Sequence, residues 1–183
     1  MKGIYLGVLV VAFMPIVAEA QQNPTQSPET NPVSNAVRRS LERASKNLTA
    51  AAEAMPADKY GYKPTPEQMT FGHLVLHVVG TNNFLCSKIS GSAAPEADKV
   101  SDTDGKDKLV AALKASFDYC TQALAKLDDS NLGEQLPFFG GNNASRAGEM
   151  MTLASSFADH YGTAAMYLRL NGVTPPTAQP KKE

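Results

Sequence analysis

Residues 145–172 read SRAGEMMTLASSFADHYGTAAMYLRLNG and carry the periodicity that decides the fold. Apolar residues recur every three or four positions, which is the spacing of one face of an α-helix. They are Met150, Leu153, Phe157, Tyr161, Ala164 and Leu168. Ser145 is a candidate N-cap, and Asn171-Gly172 is typical of a helix C-terminus. The stretch therefore predicts a helix over residues 146–170 that buries one of its faces.

Three earlier segments show the same periodicity and predict helices over residues 34–55, 70–89 and 106–127. Four helices that each have one apolar face bury those faces most simply against one another. The fold class predicted for residues 34–172 is therefore all-α, a four-helix bundle. The apolar, glycine-containing stretch LPFFGGNN at residues 136–143 is predicted to be a loop. Long connections of this kind hold short turns or line a functional opening.

The two ends of the chain differ from this domain. Residues 1–20 contain Lys2, an apolar run at residues 4–17 and the sequence Ala18-Glu19-Ala20. This is the pattern of a secretory signal peptide, and the apolar run is too short to span a bilayer. We therefore expect an exported protein, periplasmic or secreted, with no membrane attachment after cleavage. Residues 21–33 and 173–183 are polar and rich in proline, which predicts a flexible linker and a disordered tail.

Composition excludes several classes of protein. The 183 residues, of which 43% are hydrophobic, suffice for one domain with a core. The 17 basic and 18 acidic residues give a net charge of -1, which excludes a strongly basic nucleic-acid-binding protein and a polybasic membrane patch. With 3 histidines and 2 cysteines, the chain cannot be a zinc finger or a scaffold with many disulfides.

The histidines are the first candidates for chemistry. His73 and His77 lie one turn apart on the second predicted helix, and His160 lies on the fourth. Imidazole is the commonest protein ligand for zinc, nickel and iron, and catalytic zinc sites have three protein ligands with one open position. His73, His77 and His160 are therefore candidate metal ligands. The alternative is that His73 lies in the polar first turn of its helix while His77 and His160 are hydrogen-bonded core residues.

The two cysteines also have two interpretations. Cys86 lies on the second predicted helix and Cys120 on the third. In an exported chain, an even cysteine count favours a disulfide between them. The alternative is that they are two small, buried, apolar side chains.

Two stretches carry a resemblance to a known family. They are MTFGHLVLHVVGTNNFLCSKISG at residues 69–91 and the stretch at residues 145–176, whose histidine and glycine lead into YLRLNG. Together with residues 51–72, they are similar to the DinB-like superfamily over residues 35–176. The resemblance implies a four-helix bundle that holds a divalent metal, often nickel or zinc, with three histidines. One histidine comes from the second helix and two come from the last helix, in an HxxxHxGQ-like pattern.

This chain departs from that pattern at one ligand. His77 matches the position on the second helix, and His160 followed by Gly162 matches the second position on the last helix. The first position on the last helix is Ser156, and the glutamine position is Thr163. A neutral serine hydroxyl is a poor ligand compared with imidazole. His73 is a candidate for the missing nitrogen, or it replaces the residue that completes a capping box with the threonine before the helix.

The resemblance also implies a chemistry. Characterised DinB-like enzymes include bacillithiol transferases and mycothiol-dependent isomerases, in which a metal acts as a Lewis acid and lowers the pKa of a bound thiol. The first hypothesis is an exported, divalent-metal-dependent (zinc or nickel) thiol transferase or hydrolase with a degenerate histidine site. The second is a non-catalytic bundle that has lost the metal site and binds a small molecule or a protein partner. A homodimer is a further hypothesis, because bundles pair readily through an uncovered helix face.

Overall fold

The computed structural model describes residues 28–95 and 100–180, and these residues form four long helices. They are α1 (Pro32–Ala54), α2 (Phe71–Ser90), α3 (Lys106–Leu124) and α4 (Arg146–Leu170). A two-stranded antiparallel hairpin of β1 (Gln135–Pro137) and β2 (Asn143–Ser145) precedes α4. The predicted all-α four-helix bundle is confirmed. The predicted signal peptide at residues 1–20 lies outside the described residues.

The helices pack as a square in which each helix contacts two others. Helix α2 lies against α3 and α4, and α1 lies against the same two helices. The apolar faces meet in one core, which contains an aromatic cluster at one end. Phe71 of α2 contacts Tyr60 and Tyr167, with ring centroids 5.2 Å and 6.0 Å apart. Among the helices in the described ranges, none combines the length and apolar composition needed to cross a bilayer.

Both predicted serine and threonine caps are present. The Thr70 hydroxyl oxygen accepts a hydrogen bond from the His73 amide at 3.1 Å. The Ser145 hydroxyl oxygen accepts one from the Gly148 amide, also at 3.1 Å. These bonds satisfy amide groups that have no partner in the first turn of a helix. They fix the starts of α2 and α4, the two helices that carry the histidines.

Long-range contacts set the other ends of the helices. Helix α1 begins two residues earlier than predicted, where the Asp129 carboxylate accepts hydrogen bonds from the Val33 and Ser34 amides, each at 2.9 Å. Helix α3 ends at Leu124 rather than at residue 127. There the Arg38 guanidinium donates to the Leu124 carbonyl at 3.0 Å and to the carbonyl three residues later at 2.9 Å. A side chain of α1 therefore satisfies carbonyl groups at the end of α3, and a side chain of the loop after α3 satisfies amide groups at the start of α1.

Two predictions about irregular segments need correction. Residues 173–180, predicted as part of a disordered tail, include a short 3-10 turn at Pro176–Ala178. The Tyr161 hydroxyl donates to the Thr177 hydroxyl at 2.8 Å and accepts from the Thr177 amide at 3.0 Å, which holds this turn on α4. The predicted loop at residues 136–143 forms most of the hairpin, whose tip contains Gly140 and Gly141 at φ values of +66° and +78°.

Candidate functional site

A cavity of about 430 Å³ opens between α2 and α4 beneath the hairpin. Helix α2 and helix α4 each present one face to it, and Phe139 of the hairpin tip closes one side. The lining residues are His77, Gly80, Thr81, Phe84, Leu85, Phe139, Thr152, Ser156 and His160. A largely apolar wall with a few convergent polar groups is typical of a small-molecule binding site.

Helical periodicity explains why these side chains converge. His77, Thr81 and Phe84 are spaced four and three residues apart on α2, so they lie on one face. On α4, Ser156 and His160 are four residues apart and also share a face. Because α2 and α4 are neighbours in the bundle, the two faces meet. The cavity therefore joins His77 to His160, as the family resemblance implies.

The two histidines are in direct contact but differ in environment. Their rings meet edge to face, with centroids 5.0 Å apart and planes at 88°. His160 is only 7% exposed, whereas His77 is exposed. Burial lowers the pKa of His160, the neighbouring His77 lowers it further, and Asp159 acts in the opposite direction. The folded protein therefore favours the neutral form of the His160 imidazole, which has one donor and one acceptor nitrogen.

The third family position also lies in this cavity, but its polar atom is already bonded. Ser156 lines the wall beside His160, and its hydroxyl donates to the Leu153 carbonyl at 2.8 Å. The Thr152 hydroxyl likewise donates to the Gly148 carbonyl at 3.0 Å. Hydroxyl side chains inside helices commonly bond back to their own backbone in this way.

His73 does not join this site. Its Nδ1 lies 2.9 Å from the Asp102 carboxylate, and its imidazole is half exposed at the start of α2. Gly72 allows the loop that carries Asp102 to approach, because a Cβ there would lie 2.7 Å from the Asp102 carbonyl oxygen. His73 therefore lies in the first turn of α2 and is not among the residues that line the cavity.

The donor set does not fit a three-histidine metal centre. The cavity offers two imidazoles and a serine hydroxyl that is bonded to its own helix. Across residues 28–95 and 100–180, no three histidine, cysteine, aspartate or glutamate side chains are grouped so as to hold a metal ion. Metal binding by His77 and His160 stays a prediction.

Glu149 is a buried charge that the sequence did not single out. It is fully buried on α4, and within the described residues neither of its carboxylate oxygens has a hydrogen-bond partner. Burial raises the pKa of this carboxyl, and the Lys88 and Arg146 cations only partly offset that effect. Glu149 lies seven residues before Ser156 on the same face of α4, in line with the cavity. Glu149 lies four residues before Leu153 of the apolar stripe, and that spacing was the sequence signal for burial.

The cysteines form a structural link beside the site. The structure joins Cys86 of α2 to Cys120 of α3 in a disulfide, with Cα atoms 5.3 Å apart. Both residues are completely buried, so neither offers a thiol to the cavity. The bridge fixes α2, which carries His77, to the bundle.

A larger groove of about 530 Å³ runs between α1 and α3 and is the main rival site. Its lining includes Arg38, Leu41, Glu42 and Lys46. The Arg38 guanidinium already donates to the carbonyls at the end of α3. The groove contains no histidine, so the smaller cavity is the better candidate.

Comparison with solved structures finds the same fold in bacterial proteins. A DinB-like protein from Bacillus subtilis is 21% identical with a TM-score of 0.65, over 81% of this chain and 100% of that chain. A DinB-like protein from Bacillus cereus is 17% identical with a TM-score of 0.64, over 78% and 95%. A conserved protein from Enterococcus faecalis is 15% identical with a TM-score of 0.59, over 75% and 96%. At these identities the likeness shows the fold alone. No curated protein matches the chain.

The family model gives the assignment that the structures alone cannot. The model of the DinB superfamily matches residues 40–164, which contain His77, Ser156 and His160. The match covers most of the chain and nearly all of the four-helix bundle. This chain therefore belongs to the DinB superfamily.

Proposed function

We propose that this chain is a ligand-binding member of the DinB superfamily whose cavity between α2 and α4 binds an organic small molecule. The observation that carries the proposal is Ser156, which occupies the place of a family ligand and donates its hydrogen bond to Leu153. The cavity supplies one imidazole fewer than the family pattern of three histidines. The function that remains is binding, with His77 and His160 as the polar end of the pocket.

The chemistry of the cavity supports this proposal. The ring nitrogens of His77 and His160 can both form hydrogen bonds, and together they fix the orientation of a polar group. Phe84, Leu85 and Phe139 provide an apolar wall for the rest of the molecule. The volume of about 430 Å³ lies within the range of small-molecule sites.

The second candidate function is a divalent-metal-dependent thiol transferase or hydrolase. The contact between the rings of His77 and His160, at two of the three family positions, favours it. Against it stand the bonded hydroxyl of Ser156 and the pairing of His73 with Asp102. Zinc or nickel would then have only two protein nitrogens in this cavity.

We also propose that the chain acts outside the cytoplasm. The signal-like pattern at residues 1–20 supports export. The disulfide between Cys86 and Cys120 supports an oxidising compartment such as the periplasm. Pairing of two copies stays a prediction, to be measured by light scattering.

Metal content distinguishes the two candidate functions. The purified protein would be incubated with Zn²⁺ and then with Ni²⁺, desalted, and assayed by elemental mass spectrometry. His77→Ala and His160→Ala would be compared with His73→Ala, which is the matched control on α2. The proposal predicts much less than one equivalent of metal in every protein. Near-stoichiometric metal in wild type and His73→Ala, lost in the other two variants, would replace the proposal with the metal-dependent candidate.

The NMR signals of the histidine rings report ligand binding. The chain has 3 histidines, so the same alanine variants assign each ring signal in a carbon–proton NMR spectrum. A library of small organic fragments is then screened. The proposal predicts fragments that shift the signals of His77 and His160 while the signal of His73 stays fixed. A library that moves neither His77 nor His160 would contradict it.

A further inference from the structure

Aromatic rings form the mouth of the cavity. Phe84 and Phe139 stack with centroids 4.5 Å apart and planes at 23°, and Phe138 meets Phe139 edge on at 4.7 Å. Phe139 nevertheless remains 56% exposed. The mouth therefore presents an aromatic surface on which another planar ring can stack.

The backbone of the hairpin, rather than core packing, holds Phe139 in this position. Gly140 and Gly141 follow it with positive φ values of 66° and 78°, a conformation that glycine adopts readily. The Phe138 amide donates to the Asn142 carbonyl at 2.7 Å and closes the turn. The exposed ring is thus presented by a defined turn beside the cavity.

The distance from the aromatic end to the histidine end limits the size of the ligand. His77 and Phe84 are seven positions apart on α2, which places them about 10 Å apart along the helix axis. A single ring with one polar substituent reaches only one end. A rigid molecule of two fused rings spans most of this distance.

The charges at the site favour an anion. Among the described residues that line the cavity there is no aspartate or glutamate. Lys88 does not line the cavity, but its ammonium group lies 5.6 Å from the centre of the Phe84 ring and adds a positive charge beside the aromatic end. Asp159 is exposed, and Glu149 is fully buried near Lys88, so neither lines the cavity. A carboxylate on the ligand would meet the donor nitrogens of His77 and His160 without repulsion from an acidic side chain in the described lining.

We propose that the cavity binds a two-ring aromatic carboxylate. Its rings stack at Phe84 and Phe139, and its carboxylate accepts hydrogen bonds from the His77 and His160 imidazoles. This inference rests on the proposed function and names the class of molecule that the same cavity takes. Phe139 and the two histidines are then the residues that determine specificity.

Three two-ring probes of similar size test the inference. They are 2-naphthoate, 2-naphthylmethylamine, which has a cationic group instead, and decahydronaphthalene-2-carboxylate, which keeps the acid but lacks aromatic rings. Each is titrated into the purified protein at neutral pH while the histidine ring signals are followed by NMR. We expect 2-naphthoate to shift His77 and His160, but not His73, and to bind at least about tenfold more tightly than either analogue.

Two variants at exposed positions test the contacts without disturbing the core. Phe139→Leu keeps an apolar side chain but removes the ring, and we expect it to weaken 2-naphthoate binding about three- to tenfold. The same variant should leave the affinity for the saturated acid nearly unchanged. His77→Gln should weaken binding of both acids, while His73→Gln on the same helix should have no effect.

The outcomes separate this inference from the proposed function. Equal or tighter binding of the amine, or of the saturated acid, would overturn the inference. The proposed function would stand, because His77 and His160 would still respond to a ligand. The same holds if Phe139→Leu has no effect on 2-naphthoate. If 2-naphthoate leaves His77 and His160 unmoved while other fragments shift them, the ligand class is wrong. If nothing shifts them, the proposed function itself fails.

Discussion

The Ser156 hydroxyl donates a hydrogen bond to the Leu153 carbonyl at 2.8 Å, on the cavity wall beside His160. The family pattern has a histidine at this position, one turn before His160 on the same face of α4. The side chain here is short and its one donor is used by the helix. The position at which the family pattern places a third histidine therefore lines the cavity but supplies no imidazole nitrogen.

Restoring that nitrogen should restore a metal site. We expect Ser156→His to bind Zn²⁺ at least about tenfold more tightly than wild type, because three imidazoles would then converge on one cavity. Isothermal titration calorimetry measures the affinity. Ser155→His adds a histidine at the exposed neighbouring position and is the control. No gain in Ser156→His, or an equal gain in Ser155→His, would show that these three positions do not form a metal site.

The titration of His160 tests the description of its surroundings. Burial and then the adjacent His77 lower the pKa of His160, whereas Asp159 raises it. We therefore expect His77→Ala to raise the pKa of His160 and Asp159→Asn to lower it further. The ring signal of His160, followed by NMR against pH, measures both shifts. A wild-type pKa at or above the ordinary histidine value would contradict the burial of this ring.

The same shift predicts how stability changes with pH. Because the pKa of His160 is lower in the folded protein, the unfolded chain takes up its proton first as the pH falls. The contribution of His160 is thus complete above the ordinary histidine pKa and is lost as the pH falls through the folded value. His160→Asn should reduce this loss, measured as the change in free energy of unfolding between neutral and mildly acidic pH. An unchanged slope would contradict the prediction.

Glu149 should have the opposite pH dependence. Burial raises the pKa of its carboxyl in the folded protein, so its contribution is complete below the ordinary glutamate pKa and is lost as the pH rises through the folded value. Glu149→Gln removes that charge, and we expect it to stabilise the protein at neutral pH by about 1 kcal/mol or more. Urea unfolding at neutral and acidic pH measures the difference, which should shrink on acidification. The exposed Glu67→Gln is the control; a destabilised Glu149→Gln at neutral pH would mean that the charged form is needed.

The disulfide should make a large contribution to the free energy of unfolding. Cys86 and Cys120 are 34 positions apart, and closing such a loop stabilises a fold by ~3–4 kcal/mol in the chain-entropy model. The double variant Cys86→Ala, Cys120→Ala should lose about this much free energy of unfolding. Urea titrations with and without dithiothreitol measure it. Reductant should destabilise wild type only, and an equal response of both proteins would contradict a bridge.

Local signals explain why the helices could be predicted. Helix α4 matches its predicted bounds at both ends, because Ser145 caps its start and Asn171-Gly172 follows its end. The end of α3 was predicted too late because Arg38, far away in sequence, satisfies the carbonyls there. The strands of the hairpin are three residues each, too short to show an alternating pattern.

Only part of the candidate site could be predicted from the sequence, because some contacts join residues that are far apart in the chain. His77 and His160 could be placed on facing helices from their periodic positions and the family pattern. The partner of His73 could not, because Asp102 lies in a loop 29 positions away. The unpaired state of Glu149 depends on what packs around the start of α4, and periodicity gives the face of a helix but not its neighbours.

The most direct measurement is the position of a bound fragment relative to His77 and His160. A fragment that binds in the screen would be added to the purified protein, and intermolecular nuclear Overhauser effects would be recorded to the protein side chains, including the assigned histidine rings. The account predicts contacts from the fragment to both rings, with none to His73. Contacts confined to residues of the α1–α3 groove, such as Leu41 and Thr121, would place the binding site elsewhere and contradict it.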